Sequence, residues 1–149
     1  MENRSHLTAI ARKGHSSPVK HLQAKGLLRG RLLDYGCGRG SDCDLLQCDG
    51  YDPYYRSEAP QGPYDTIYCV YVLNVLPTVE EREDVLAKIR GLLAPGGTAY
   101  IAVRRDKKSL NGWTSRGTYQ TNVELSLPEL SCGGSFAIFR ICSYGETKL

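Results

Sequence analysis

The segment that most constrains this chain is Arg31-Leu32-Leu33-Asp34-Tyr35-Gly36-Cys37-Gly38-Arg39-Gly40. A short apolar run that ends in an acid and passes straight into spaced glycines reads as a buried strand feeding a tight turn. Glycine accepts positive φ and lets the backbone approach a ligand closely. A short helix is predicted over 41–47, and its first turn offers unpaired N–H groups at the same place. The run Cys48 to Asp52 then repeats the pattern of a strand closed by an acid. Strand, turn, helix and strand open an α/β fold, in which ligands bind outside the C-terminal strand ends. Two plainer readings stand beside this one: a purely structural turn at the glycines, and Asp52-Pro53 as a turn initiator.

The rest of the chain continues the alternation. Ser17 as N-cap, Pro18 at the first helical position and Gly26 as the stop predict a helix over 18–25. Tyr64 to Leu73 is rich in β-branched and aromatic residues and predicts a strand. Thr78 with Glu81 predicts a capping box ahead of an amphipathic helix. Val85, Leu86, Ile89, Leu92 and Leu93 share its apolar face, and Pro95-Gly96-Gly97 closes it. Thr98 to Val103 is continuously apolar, as in a parallel strand covered on both faces. A basic loop from Arg104 to Arg116 precedes two strand-like runs, Thr121 to Leu127 and Ser135 to Ile141, separated by Pro128 to Gly134. The expected fold is α/β: a Rossmann-like doubly wound sheet with a C-terminal antiparallel strand pair. One domain is expected over 1–149, with a basic arm and helix in 1–30, a ligand-binding core in 31–103, and the loop and strand pair in 104–149.

Bulk properties narrow the function classes. With 149 residues, 41% hydrophobic and 23% charged, the chain can bury a globular core. No apolar run approaches the ~20 residues that span a bilayer, and no apolar h-region follows Arg4 and His6. Of the six cysteines none forms a C-x-x-C pair, and no histidine lies near Cys37, Cys43 and Cys48. They predict reduced thiols in a cytoplasmic chain without a metal site. The net charge of +3 is uneven: seven Lys/Arg stand against Glu2 between Met1 and Arg31, and Arg104, Arg105, Lys107, Lys108 and Arg116 form a second basic group. This is either a solubilising surface or an electropositive rim for an anionic substrate or nucleic acid.

The glycine turn discriminates between ligands. The dinucleotide pattern G-x-G-x-x-G fails from Gly36, where the sixth position is Ser41, and it fails from Gly38. An acid just before the first glycine suits a cationic ligand and repels a pyrophosphate. At this point Leu33 to Gly40 resembles the first signature of the class I S-adenosylmethionine (SAM)-dependent methyltransferases, D-x-G-C-G-x-G. Gly50-Tyr51-Asp52-Pro53 resembles their second signature. Tyr64-Asp65-Thr66-Ile67, running on through Val72-Leu73-Asn74-Val75-Leu76-Pro77, is similar to their "FD-x-V…VLHHLP" strand and loop. Leu92-Leu93-Ala94-Pro95-Gly96-Gly97 is similar to "LL-x-PGG". A narrower resemblance is to small bacterial and phage methyltransferases linked to DNA phosphorothioation, with Thr8-Ala9-Ile10-Ala11-Arg12 matching an upstream "TAI-x-R". The resemblance implies SAM as cofactor, bound by Asp34 at its amino group, Gly36, Cys37 and Gly38 along its methionine moiety, and Asp52 with Pro53 at the ribose. It also implies backbone contacts from Cys69 or Val70, and Arg12 or Lys13 at the carboxylate.

The chain departs from that family in the middle. Eleven residues separate Asp52 from Tyr64, where the family has a further helix and strand beside the adenine, so the sheet is expected to be shortened after its second strand. Tyr54, Tyr55 and Tyr64 are candidates to stack there, although core or surface placement serves each equally. The D-P-P-Y or N-P-P-Y block of amino-methylating nucleic-acid enzymes is missing; Asn74 is followed by Val75. Methyl transfer needs mainly positioning and desolvation, with a general base only for a poorly ionised nucleophile. Asn74, Tyr71, Tyr119 and His15 are the candidates at the mouth, and Trp113 either packs against substrate or anchors its loop. The acceptor is a small molecule or a nucleic acid. The competing expectation is a catalytically degenerate SAM-binding or nucleic-acid-interacting module.

Overall fold

The computed structural model describes residues 3–105, 111–132 and 134–143. Four strands run parallel: β1 (Leu32–Tyr35), β2 (Asp49–Tyr51), β3 (Tyr64–Val70) and β4 (Leu93–Arg104). In space their order is β2-β1-β3-β4, so the winding reverses between β1 and β3. Beyond β4 come β8 (Phe136–Cys142) and then β7 (Glu129–Cys132), each antiparallel to its neighbour. Gly112–Trp113 (β5) and Tyr119–Gln120 (β6) form a separate small hairpin.

Side-chain alternation along these strands makes two cores, one on each face. Leu33, Ile67, Cys69, Ala99, Ile101 and Val103 lie on one face, against Leu86 and Ile89 of helix α3 (Val79–Leu92). Tyr68, Tyr100, Ala102 and Ile138 lie on the other, against Val19 and Leu22 of helix α1 (Ser17–Ala24). Helix α2 (Ser41–Leu46) follows the glycine turn after β1. The capping box expected at α3 is present: Glu81 N donates to Thr78 Oγ1 at 3.1 Å, and Thr78 N donates to Glu81 Oε2 at 3.0 Å. Between β2 and β3 there is only a turn, closed by reciprocal backbone bonds between Asp52 and Arg56 at 3.0 and 3.1 Å. The expected shortening leaves β2 at the sheet edge.

Several boundaries differ from the sequence reading, each for a local reason. The N-cap of α1 is Ser16, and Ser17 is already helical. Ser16 Oγ does not cap; it donates to Asp42 Oδ2 at 2.8 Å, a tertiary bond that replaces the local one. Strand β3 stops at Val70, because Tyr71 takes a left-handed φ of 60° and Leu73–Val75 winds into a 3-10 turn. Strand β4 begins at Leu93, directly after α3, and Pro95-Gly96-Gly97 falls inside the register shift opposite Tyr64 and Thr66. The run 121–127 is not the outer strand: Thr121 N donates to Asn74 O at 2.9 Å and Val123 O accepts from Arg105 Nη2 at 2.7 Å. Those tertiary bonds engage Thr121 and Val123, and the outer strand forms at Glu129–Cys132, within the segment that separates the two expected runs. In the expected basic loop, Lys107 and Lys108 lie outside the described residues.

Candidate functional site

The glycine turn is welded to the end of β2. Gly36 N and Cys37 N donate to Tyr51 O at 2.7 and 2.8 Å, and Gly38 N donates to Asp52 Oδ2 at 3.0 Å. Asp52 Oδ1 accepts from Tyr54 N at 2.9 Å and Tyr55 N at 3.0 Å. A carboxylate offers about four lone-pair sites, so Asp52 braces the loop while keeping capacity for one more donor. Gly36 needs to be glycine: its φ is +86°, and a Cβ there would overlap a methyl of Val72. Gly38, at φ +55°, faces Ala9 Cβ at 3.2 Å from its own would-be Cβ.

Asp34 stands at the centre, only 4% exposed. Burial holds its carboxyl well above the ordinary carboxylate range; Cys43 and Asp42 push the same way, and a hydrogen bond with Tyr68 opposes them. A buried acid of this kind is stabilised as an anion by a cation placed beside it. The Cys37 and Cys43 thiols interact, which pulls Cys43 down to about 7 and pushes Cys37 upward, while Cys37 Sγ donates to Gly38 O at 3.6 Å and Cys43 Sγ to Gly40 O at 3.4 Å. Arg56 clamps the start of α2, with its guanidinium on Asp44 at 2.9 and 2.8 Å and on Arg39 O at 3.3 Å.

Residues 3–16 form a strap across the strand ends. Asn3 Nδ2 donates to Val75 O at 3.1 Å, Arg4 N to Gly117 O at 2.9 Å, and Arg12 N to Ser41 Oγ at 3.1 Å. The His6 ring stacks on Tyr54 at 3.9 Å, and Tyr55 Oη donates to His6 O at 3.3 Å. Asp42 anchors the far end by accepting from Ser16 N at 2.9 Å and bonding His15 Nδ1 at 3.0 Å. Beneath the strap lies a cavity of about 850 Å³, at the upper end of ordinary ligand pockets. It opens over the C-terminal ends of all four parallel strands, at the switch point of the sheet.

Of the residues expected to face a cofactor, the cavity brings together Asp34, Gly36, Cys37, Gly38, Asp52, Pro53, Val70 and Arg12. Cys69 is not among them: it pairs with Ile101 in the ladder and is fully buried in the core. Tyr64 is also core, and its hydroxyl donates to Asp49 Oδ2 at 2.7 Å. Tyr54, Tyr71 and Asn74 line the cavity; His15, Tyr119 and Trp113 do not. His15 is engaged with Asp42, and Trp113 packs edge-on against Tyr119. Asp42, Arg56 and Gln120 were missed by the sequence reading. Asp42 and Arg56 act through partners 12 to 27 positions away, Gln120 bonds Asn74 across 46, and no local period marks any of the three.

No helix among the described residues is long and apolar enough to cross a membrane. Solved structures share the fold. The DhpI–SAH complex has 16% identity and a TM-score of 0.57, over 82% of this chain and 80% of that one. A structure concerned with conversion of a disulfide bond into a thioacetal group during echinomycin biosynthesis has 20% identity and a TM-score of 0.53, over 65% of this chain. This chain spans about half of that second one, 52%. No curated protein matches the sequence. A family model described as "methyltransferase domain" matches residues 8–128, which takes in the strap from Thr8, the glycine turn and all four parallel strands. The chain therefore belongs to that family and is a class I SAM-dependent methyltransferase.

Proposed function

We propose that the cavity under the strap binds SAM and that the chain methylates a small acceptor held in the same cavity. The convergence of Asp34, the Gly36–Gly38 turn, Asp52 and Val70 at one set of strand ends carries this reading. The residues fit the cofactor: a buried carboxyl whose ionisation awaits a cation, a turn that a Cβ at Gly36 would block, and a carboxylate with a spare lone pair. Bound there, SAM supplies a methyl group already activated by its sulfonium.

The chain's own residues then have separable tasks. Asp34 ionises against the α-ammonium, and Arg12 takes the carboxylate. Gly36, Cys37 and Gly38 present backbone to the methionine moiety, with Val70 opposite. The spare capacity of Asp52 accepts from a ribose hydroxyl, and Pro53 packs beside it. Tyr54 and His6 supply aromatic faces next to Asp52, in place of the segment missing between β2 and β3. The strap keeps bulk water from the reacting atoms, which strengthens every electrostatic contact inside.

The strap's closure over the strand ends favours a small acceptor over a nucleic acid, and the cysteines fit a cytoplasmic setting. The narrower resemblance to phosphorothioation-linked methyltransferases rests on Thr8 to Arg12 and on the glycine turn. The test is incubation with methyl-tritiated SAM and fractionated metabolites, RNA, DNA and protein. Label in the metabolite fraction supports the proposal, and label in nucleic acid, with binding that falls steeply with salt, overturns the small-acceptor part. Tight SAM binding with no label anywhere favours the degenerate module.

A further inference from the structure

Two thiols meet behind the glycine turn. Cys37 lies in the turn, is partly exposed and lines the cavity; Cys43 lies on α2 and is fully buried. Their sulfurs rest against one point of the β2 backbone. A Cβ on Gly50 would stand 2.6 Å from Cys43 Sγ and 3.1 Å from Cys37 Sγ, so a glycine there leaves both sulfurs room. Arg56 Nη1 donates to Cys43 Sγ at 3.5 Å, so that Cys37 first and the guanidinium charge second lower this thiol. Two other thiols stand apart from the pair. Cys48 faces Tyr68 Oη at 3.5 Å, and burial pushes it up to about 11. Cys69 is enclosed in the core, and burial pushes it up as well. The thiolate is the reactive form of cysteine, so these two are inert where the facing pair is not.

From this convergence of two sulfurs on one glycine, with one of them on the cavity wall, we infer that Cys37 and Cys43 form a thiol–disulfide exchange site that takes small disulfides from the cavity, and that closing the Cys37–Cys43 bond loosens the turn's hold on the cofactor. The effect on the cofactor rests on the cavity being the SAM site; the exchange itself does not. The oxidant is the small disulfide, RSSR. Loss of the first proton leaves one proton between two facing sulfurs, and its passage from Cys37 to Cys43 puts the thiolate on the cavity side. Cys37 Sγ attacks one sulfur of RSSR, the S–S bond breaks and RS⁻ leaves. Cys43 then gives its proton to water and attacks Cys37 Sγ, and the second RS⁻ leaves. The two cysteines lose two electrons and two protons, and RSSR is reduced to two thiols RSH. A disulfide needs its sulfurs about 2 Å apart, so the bond draws Cys37 from the cavity wall towards α2. Gly36 N and Cys37 N, which donate to Tyr51 O, and Gly38 N, which donates to Asp52 Oδ2, sit on the same turn and move with it.

The experiment treats the whole folded chain with bis(2-hydroxyethyl) disulfide, alkylates the remaining thiols in denaturant and maps the tryptic peptides by mass spectrometry. Trypsin cuts after Arg39, so Cys37 and Cys43 leave on separate peptides, 32–39 and 40–56, which stay together only if the bond has formed. Cys48 shares the second peptide, and fragmentation tells it from Cys43. The expected result is a Cys37–Cys43 link, with Cys48 and Cys69 alkylated. Cys43→Ala stops at the mixed disulfide on Cys37, because nothing resolves it, and Cys37→Ala takes no reagent at Cys43. SAM titrated by calorimetry binds the linked chain about tenfold more weakly than the reduced chain, the worth of one hydrogen bond of the brace, and dithiothreitol restores the affinity. Mapping of the unaltered chain decides the matter if either variant fails to fold. A link to Cys48, reagent on Cys43 in Cys37→Ala, alkylation of both cysteines throughout, or a link that leaves SAM affinity unchanged overturns the inference alone. Failure of the reduced chain to bind SAM overturns the cofactor reading, while a Cys37–Cys43 link still supports the exchange site.

Discussion

Adding one methyl group at Gly36, and separately at Gly38, probes how the glycine turn is built. At Gly36 an alanine meets two costs. Its φ of +86° is left-handed, which costs an L-residue about 1–2 kcal/mol. Its Cβ would also overlap Val72 inside a packed wall, and overpacking costs about 1–3 kcal/mol. Together Gly36→Ala is expected to lose about 2–5 kcal/mol, a large part of the ~5–15 kcal/mol that holds a domain folded. At roughly 2–4 °C per kcal/mol for a chain of this size, Tm falls by about 4–20 °C. At Gly38 the φ of +55° costs a similar 1–2 kcal/mol, roughly. The neighbour there is only the Ala9 methyl at 3.2 Å, carried on a strap that can yield. Gly38→Ala therefore loses about 2–8 °C, and the displaced strap becomes more open to protease. Thermal melts and urea titrations of both variants measure this. Equal or larger destabilisation by Gly38→Ala, or a neutral Gly36→Ala, would refute the packing argument.

Two further perturbations follow from the same geometry. Asp42→Ala removes the acceptor of Ser16 N, Ser16 Oγ and His15 Nδ1; it is expected to cost about 1–3 kcal/mol for the donors left unpaired, and limited proteolysis should then cut within residues 3–16, whereas an unchanged cleavage map would count against Asp42 as the strap's anchor. Because burial raises the Asp34 carboxyl in the folded chain, the unfolded chain ionises first. Asp34's contribution to stability is therefore complete below the ordinary carboxylate pKa of about 3.9 and is lost as pH rises through the raised folded value. Urea midpoints of wild type and Asp34→Asn should diverge in favour of the asparagine as pH rises, and parallel curves would show that Asp34 is not held neutral by burial.

How much of this was legible in the sequence depended on how local the determinant was. Thr78 and Glu81 cap α3 as their spacing implies, and Leu33, Ile67, Ile101 and Val103 fill a core because continuous apolar runs suit a sheet covered on both faces. The glycine turn and Asp52 were equally plain, since both follow a strand within one or two residues. What escaped was set by partners distant in the chain. Ser16 was drawn from its capping role by Asp42, the 121–127 backbone was captured by Asn74 and Arg105, and Tyr71 was turned out of the β3 ladder into a left-handed conformation. Backbone strain of that kind collects at functional sites, and Tyr71 lines the cavity.

The central claim is that Asp34 is the anionic anchor for SAM. Calorimetric titration of SAM into wild type and Asp34→Asn, each in two buffers of different ionisation enthalpy, tests it most directly. A cation seated beside Asp34 lowers its raised pKa, so wild type is predicted to release protons on binding. Asp34→Asn loses a buried charge-assisted contact of about 1.5–3 kcal/mol, which is about 10- to 150-fold in Kd, and its proton release disappears. SAM binding by Asp34→Asn with wild-type affinity and the same proton release would contradict the account.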